Sequence, residues 1–148
     1  NQYRMGLAEK LGADMVLGKD NDIVAEILAA TDGRGVDNSC EFSGSPVALS
    51  NTVKSTRMGG YVNVLSVYGN PTPEIPMNEL VFRYLHLKGI NGRKMWSTWD
   101  TMHELLSAGQ IDIETIITNY FPISEFEQGM KLATSGNCGK VVLQFPSS

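Results

Sequence analysis

The run Tyr61 to Gly69, YVNVLSVYG, follows the pair Gly59-Gly60 and is closed by a further glycine. A glycine pair, a Val- and Tyr-rich run and a glycine exit predict a buried strand of a parallel sheet. Two similar runs flank it. Val36 to Phe42 ends in Ser43-Gly44, and Leu85 to Ile90 ends in Asn91-Gly92. Each is followed by small residues and then by a helical pattern. In open α/β sheets, ligands bind outside the carboxyl ends of the strands. The endings Phe42-Ser43-Gly44, Leu65-Ser66-Val67 and Ile90-Asn91-Gly92 therefore define a candidate ligand rim.

The rest of the chain fits that frame. Tyr3, Leu7 and Leu11 recur every four residues and predict a helix over Gln2 to Leu11, with Gly12 as its stop. Asp14 to Gly18 reads as a short strand. Asp22 is a capping residue for a helix over Ile23 to Ala30. Ser45-Pro46 is a strong helix start, a capping hydroxyl followed by proline at the first helical position. Three prolines between Asn70 and Pro76 predict a loop leaving the sheet. Met77 to Phe82 reads as a short helix and Arg83 to Ile90 as a returning strand. Alternating helices and strands mark an α/β fold, a parallel sheet with helical crossovers.

The rhythm changes after Gly92. A helix around Trp99, Met102, Leu105 and Leu106 ends at Gly109, and Thr115 to Phe121 is extended. Ser124 with Glu127 matches a capping box and opens a helix that closes near Gly136. Gly139 to Phe145 is a final strand. This places a boundary near residues 94 to 97, with units 1–96 and 97–148.

The chain has 148 residues, 42% of them apolar, with 12 basic and 16 acidic side chains and a net charge of -4. The charges are scattered without a basic run, so nucleic-acid binding is not expected. No apolar stretch is long enough to span a membrane as a helix, and the N-terminus lacks the apolar core of a signal peptide. Cys40 and Cys138 form no disulfide framework; Cys40, within a predicted strand, reads as a small buried hydrophobe. Cytoplasmic residence follows by default.

Catalytic motifs are missing. No glycine-rich phosphate turn of the G-x-G-x-x-G type follows a strand, and no His/Cys cluster has zinc spacing. His86 and His103 have no evident partner and read as structural. The rim has two readings: Gly44, Ser66 and Gly92 either make tight strand-to-helix turns or let a flat ligand approach the backbone. Arg4 lies in the first turn of a helix, where a cation opposes the helix dipole. That suggests an anionic ligand, although a solvated surface arginine is the commoner explanation.

Four segments carry a family resemblance: EFSGSP at Glu41 to Pro46, GGYVNVLSVYG at Gly59 to Gly69, LKGINGR at Leu87 to Arg93 and SGNCGKVVL at Ser135 to Leu143. In order and spacing they resemble the zinc-dependent medium-chain alcohol dehydrogenases. KGINGRKMWSTW at Lys88 to Trp99 and NQYRMGLAEKLGA at Asn1 to Ala13 are most similar to the threonine-oxidising members. Sorbitol and butanediol dehydrogenases share the frame but fit Lys88 to Trp99 less well.

The resemblance implies a partial Rossmann-type parallel sheet followed by the C-terminal segment of a GroES-like catalytic domain. It implies NAD as cofactor, with Arg4, Leu65, Ser66, Val67, Ile90 and Asn91 on the cofactor side. Asn91 departs from the family's usual tyrosine. The zinc ligands would lie upstream of residue 1, leaving no catalytic or metal-binding residue to assign in this chain. The substrate implied is a small alcohol, L-threonine favoured, and the isolated chain is expected to be inactive. The Leu85 to Ile90 strand edge implies a homo-oligomer. A polyol or secondary-alcohol dehydrogenase is the near alternative. A non-catalytic dimerising nucleotide-binding module is the distant one.

Overall fold

A computed structural model describes residues 1–70 and 72–146. Pro71, within the expected proline loop, lies outside the described residues. The elements are α1 (Gln2–Lys10), α2 (Ile23–Ala30), β1 (Val36–Glu41), α3 (Pro46–Ser55), β2 (Thr56–Val64), α4 (Met77–Phe82), β3 (His86–Gly89), α5 (Ser97–Ser107), β4 (Ile117–Pro122), α6 (Phe126–Ser135) and β5 (Lys140–Gln144). No helix among the described residues is long and apolar enough to cross a membrane.

The chain divides into two compact units. One runs from Asp20 to Lys94; the other joins Asn1–Lys19 to the chain from Met95 onward. This last segment begins at Met95. The first nineteen residues, however, group with the C-terminal segment.

The Asp20–Lys94 unit is a three-stranded sheet of order β1-β2-β3, parallel throughout. Helix α2 starts where the Asp22 carboxylate accepts the Ala25 amide at 3.1 Å. Helix α3 starts where the Ser45 hydroxyl accepts the Ala48 amide at 3.4 Å, with Pro46 at the first turn. Both caps are those the sequence predicts. Leu49 and Val53 of α3 pack on Val62 of β2 to form the buried core, flanked by Val64, Tyr68, Leu80 and Leu85. The outer strands have partners on one side only. Cys40 is consequently exposed, not buried as the strand pattern suggested, because β1 is an edge strand.

Strand β2 begins earlier than expected and ends sooner. It takes in Gly59 and Gly60, and Leu65 to Gly69 lie beyond its end. The glycine pair makes a bulge: β1 advances two residues, from Val36 to Asn38, while β2 advances five, from Thr56 to Tyr61. A side chain at Gly60 would stand 2.6 Å from Thr56 Cγ2 and 2.9 Å from the Arg57 carbonyl. The pair thus lets the folded-out loop close on itself within the strand.

In the other unit, β4 and β5 form a parallel pair crossed over by α6. Gly129 of α6 lies against the pair; a Cβ there would be 3.2 Å from Leu143 and 3.3 Å from Phe121. The capping box at Ser124 and Glu127 does not form. A 3-10 turn over Ile123–Glu125 leads into α6, with the Phe126 amide bonded to the Ile123 carbonyl and no side-chain cap. Backbone bonding has replaced the hydroxyl. Asp14 to Gly18 is not a strand. A strand needs a ladder partner to satisfy its backbone, and none pairs with it among the described residues. Of the expected α1 face, Tyr3 and Leu11 are exposed and Leu7 is half-buried.

Candidate functional site

The register of the three-stranded sheet aligns its carboxyl ends. Glu41 pairs with Val64, and Val64 with Gly89. Two further bonds extend the ladder: the Leu65 amide donates to the Glu41 carbonyl at 3.0 Å, and the Ile90 amide to the Val64 carbonyl at 2.9 Å. Leu65, Ser66, Val67, Ile90 and Asn91 therefore leave the sheet side by side. The Ser43-Gly44 turn lies against them. Gly44 has φ +71°, and a Cβ there would be 3.0 Å from the Val67 carbonyl. Left-handed backbone and close approach together explain glycine at this position.

Beneath the rim is a residue to which the sequence reading assigned no role. Glu41 ends β1 and is only 2% exposed. Its Oε1 accepts the Ser43 amide at 2.7 Å, the Ser43 hydroxyl at 2.6 Å and the Gly44 amide at 3.1 Å. Its Oε2 accepts the Tyr68 hydroxyl at 2.6 Å and the Ser66 hydroxyl. Burial pushes the carboxyl pKa up. The hydroxyls of Ser43, Ser66 and Tyr68 and the Ser43 amide outweigh that effect and hold it down to about 2. The group is thus a carboxylate at neutral pH, stabilised by converging hydrogen bonds. Burial and the neighbouring carboxylate push the Tyr68 phenol up. The signal in the sequence was a charged residue next to the end of a predicted buried strand, separated only by Phe42 from Ser43-Gly44.

Around this network the rim alternates. Val67 is 92% exposed and Leu65 is 38% exposed, whereas Ser66 and Tyr68 turn inward to Glu41. Asn91 is exposed and Ile90 half-buried. Arg4, in the other unit, is exposed, and its Nε donates to the Cys138 carbonyl at 3.3 Å. His86 does have a partner: its ring stacks on Tyr61 with centroids 4.5 Å apart. Among the described residues, no three His, Cys, Asp or Glu side chains are grouped to hold a metal ion.

A three-stranded parallel sheet with helical crossovers is an α/β fold of the open-sheet kind, in which ligands bind outside the carboxyl ends of the strands. Residues 1–108 match the family of zinc-binding dehydrogenases, and the chain belongs to that family. It is 42% identical over 144 residues to an L-threonine 3-dehydrogenase of Bacillus licheniformis, covering 97% of this chain and 42% of that protein. An L-threonine 3-dehydrogenase of Pyrococcus furiosus is 37% identical, with 96% of this chain and 41% of that protein covered. Among solved structures, the 2R,3R-butanediol dehydrogenase of Bacillus subtilis superposes with a TM-score of 0.87 at 27% identity, over 99% of this chain and 42% of that one. The chain thus spans less than half the length of these relatives.

Proposed function

We propose that this chain forms the cofactor-binding rim and C-terminal return of an NAD- and zinc-dependent alcohol dehydrogenase acting on L-threonine at its 3-hydroxyl. The observation that carries the reading is the alignment of Leu65, Ser66, Val67, Ile90 and Asn91 at the carboxyl ends of adjacent parallel strands. The rim suits a dinucleotide in its chemistry. Leu65 and Val67 offer exposed apolar surface to a flat ring, and Asn91 offers an exposed amide. When bound, NAD supplies hydride acceptance; this chain's residues bind and orient it. Arg4, exposed at the start of α1, is assigned to the cofactor's ribose side.

Zinc does not fit the residues present, since no three candidate ligands come together among those described. It is assigned to the part of the protein outside this chain. On this reading the isolated chain has no dehydrogenase activity and binds NAD weakly. Strand β3 is an edge strand with four exposed residues, which favours self-association there.

The threonine substrate rests on the identity to threonine dehydrogenases. The likeness to a butanediol dehydrogenase favours a second reading, a secondary-alcohol or polyol substrate. Assaying the complete protein for NADH formation with L-threonine and with butane-2,3-diol separates the two. Turnover of the diol without turnover of threonine overturns the first reading.

A further inference from the structure

The Glu41 network joins two turns that the sheet alone leaves separate. Ser43 and Gly44 belong to the turn after β1, and Ser66 and Tyr68 to the segment after β2. Local capping explains the first pair: a carboxylate accepting the amides just ahead of α3 satisfies backbone donors. It does not explain the second. Ser66 and Tyr68 flank Val67, and both hydroxyls turn in to one carboxylate oxygen, Oε2. With alternate residues pinned inward, Leu65 and Val67 must project the other way, as their exposure shows.

We infer that Glu41 is a positioning residue for the cofactor: it pins Ser66 and Tyr68 so that Leu65 and Val67 are held ready to meet the dinucleotide. The inference rests on the NAD reading above. It also assigns Ser66 its manner of contact. Its hydroxyl is committed to Glu41, so Ser66 meets the ligand through its backbone. An amide in place of the carboxylate cannot accept from all five donors, because its nitrogen donates. The Leu65–Val67 segment then loses its fixed conformation, and binding must supply the ordering that the carboxylate supplied in advance.

The test uses the complete protein containing this chain, titrated with NADH and followed by NADH fluorescence. Glu41→Gln raises the NADH Kd by about tenfold, and Tyr68→Phe and Ser66→Ala each by about threefold. Gly60→Ala, which strains the bulge near the start of β2, where its neighbours are Thr56, Arg57 and Asp37 and not the network, leaves the Kd within about twofold of wild type. Hydrogen exchange without NADH shows faster amides at Leu65–Val67 in Glu41→Gln and unchanged amides in β3.

A folded Glu41→Gln protein with wild-type NADH affinity overturns the inference while leaving the NAD reading intact. An equal loss in Gly60→Ala overturns it too, since general loosening would then suffice. If Glu41→Gln does not fold, Tyr68→Phe and Ser66→Ala decide: weaker NADH binding in both supports the inference, and wild-type affinity in both overturns it. A wild-type protein that does not bind NADH overturns the NAD reading and this inference with it.

Discussion

The Arg83 guanidinium donates through Nη1 to the Lys54 carbonyl at 2.9 Å, reaching from the end of α4 to the last turn of α3. The same nitrogen lies 3.3 Å from the Val53 carbonyl, and Nη2 donates to the Thr56 carbonyl. A cation here meets the carbonyls left over at a helix C-terminus and the negative end of its dipole. Replacing Arg83 with Ala leaves those carbonyls without this donor, and a loss of about 2 kcal/mol is expected. Urea unfolding checks it. A loss under about 0.5 kcal/mol would show that water serves the helix end equally well.

Gly60 and Gly6 predict opposite outcomes for one substitution. A Cβ at Gly60 meets Thr56 Cγ2 at 2.6 Å and backbone oxygens of Arg57 and Asp37 at 2.9 and 3.0 Å. Gly60→Ala should therefore destabilise by about 1–3 kcal/mol through overpacking. Gly6, in the middle of α1, has nothing within 4 Å. Gly6→Ala should stabilise by about 0.5–1 kcal/mol by reducing the freedom of the unfolded chain. Thermal melts of the two variants decide, and a common sign would be the failing result.

Val53 is fully buried against Leu49 and Val62. Val53→Ala removes two methyl groups from the core and leaves a cavity that the fixed helix and strand cannot collapse. The expected loss is about 2–3 kcal/mol. Denaturant titration with an unchanged slope would identify it as lost packing rather than a changed unfolded state.

Acid should expose the Glu41 network. Its carboxyl sits at about 2 in the folded protein against an ordinary 4.5. A depressed folded value means stability that is fully present above the ordinary value and lost as pH falls through the folded one. The wild-type advantage over Glu41→Gln should therefore be constant from pH 7 to about pH 5 and shrink toward pH 2. Unfolding free energies of both proteins at pH 7 and pH 3 measure it. An advantage that does not narrow means the carboxylate is not what the network stabilises.

The helix starts at Asp22 and Ser45 were legible because capping and proline chemistry act within three residues. The parallel order of β1, β2 and β3 was legible from short runs separated by helices. Two features, Asp14–Gly18 and Glu41, escaped because they depend on partners distant in sequence, and a third, the Ser124 cap, because a local backbone turn competes with it. Asp14–Gly18 looks like a strand locally but has no strand beside it. Ser124 has the right chemistry for a cap, but a 3-10 turn bonds the Phe126 amide to the Ile123 carbonyl instead. At the site, glycine and serine marked the rim. Glu41 went unassigned because its role depends on Ser66 and Tyr68, 25 and 27 residues further along the chain.

The grouping of Asn1–Lys19 with the chain from Met95 onward has a temporal side. Residues near the start, Asn1, Arg4 and Leu7, meet Gly136, Cys138 and Gly139. On a ribosome, those first residues emerge long before their neighbours exist. The Asp20–Lys94 sheet, by contrast, is contiguous and can close as soon as it is out. Within this stretch, the contacts of α1 with Gly136, Cys138 and Gly139 can therefore form only after the residues of the Asp20–Lys94 sheet have been made.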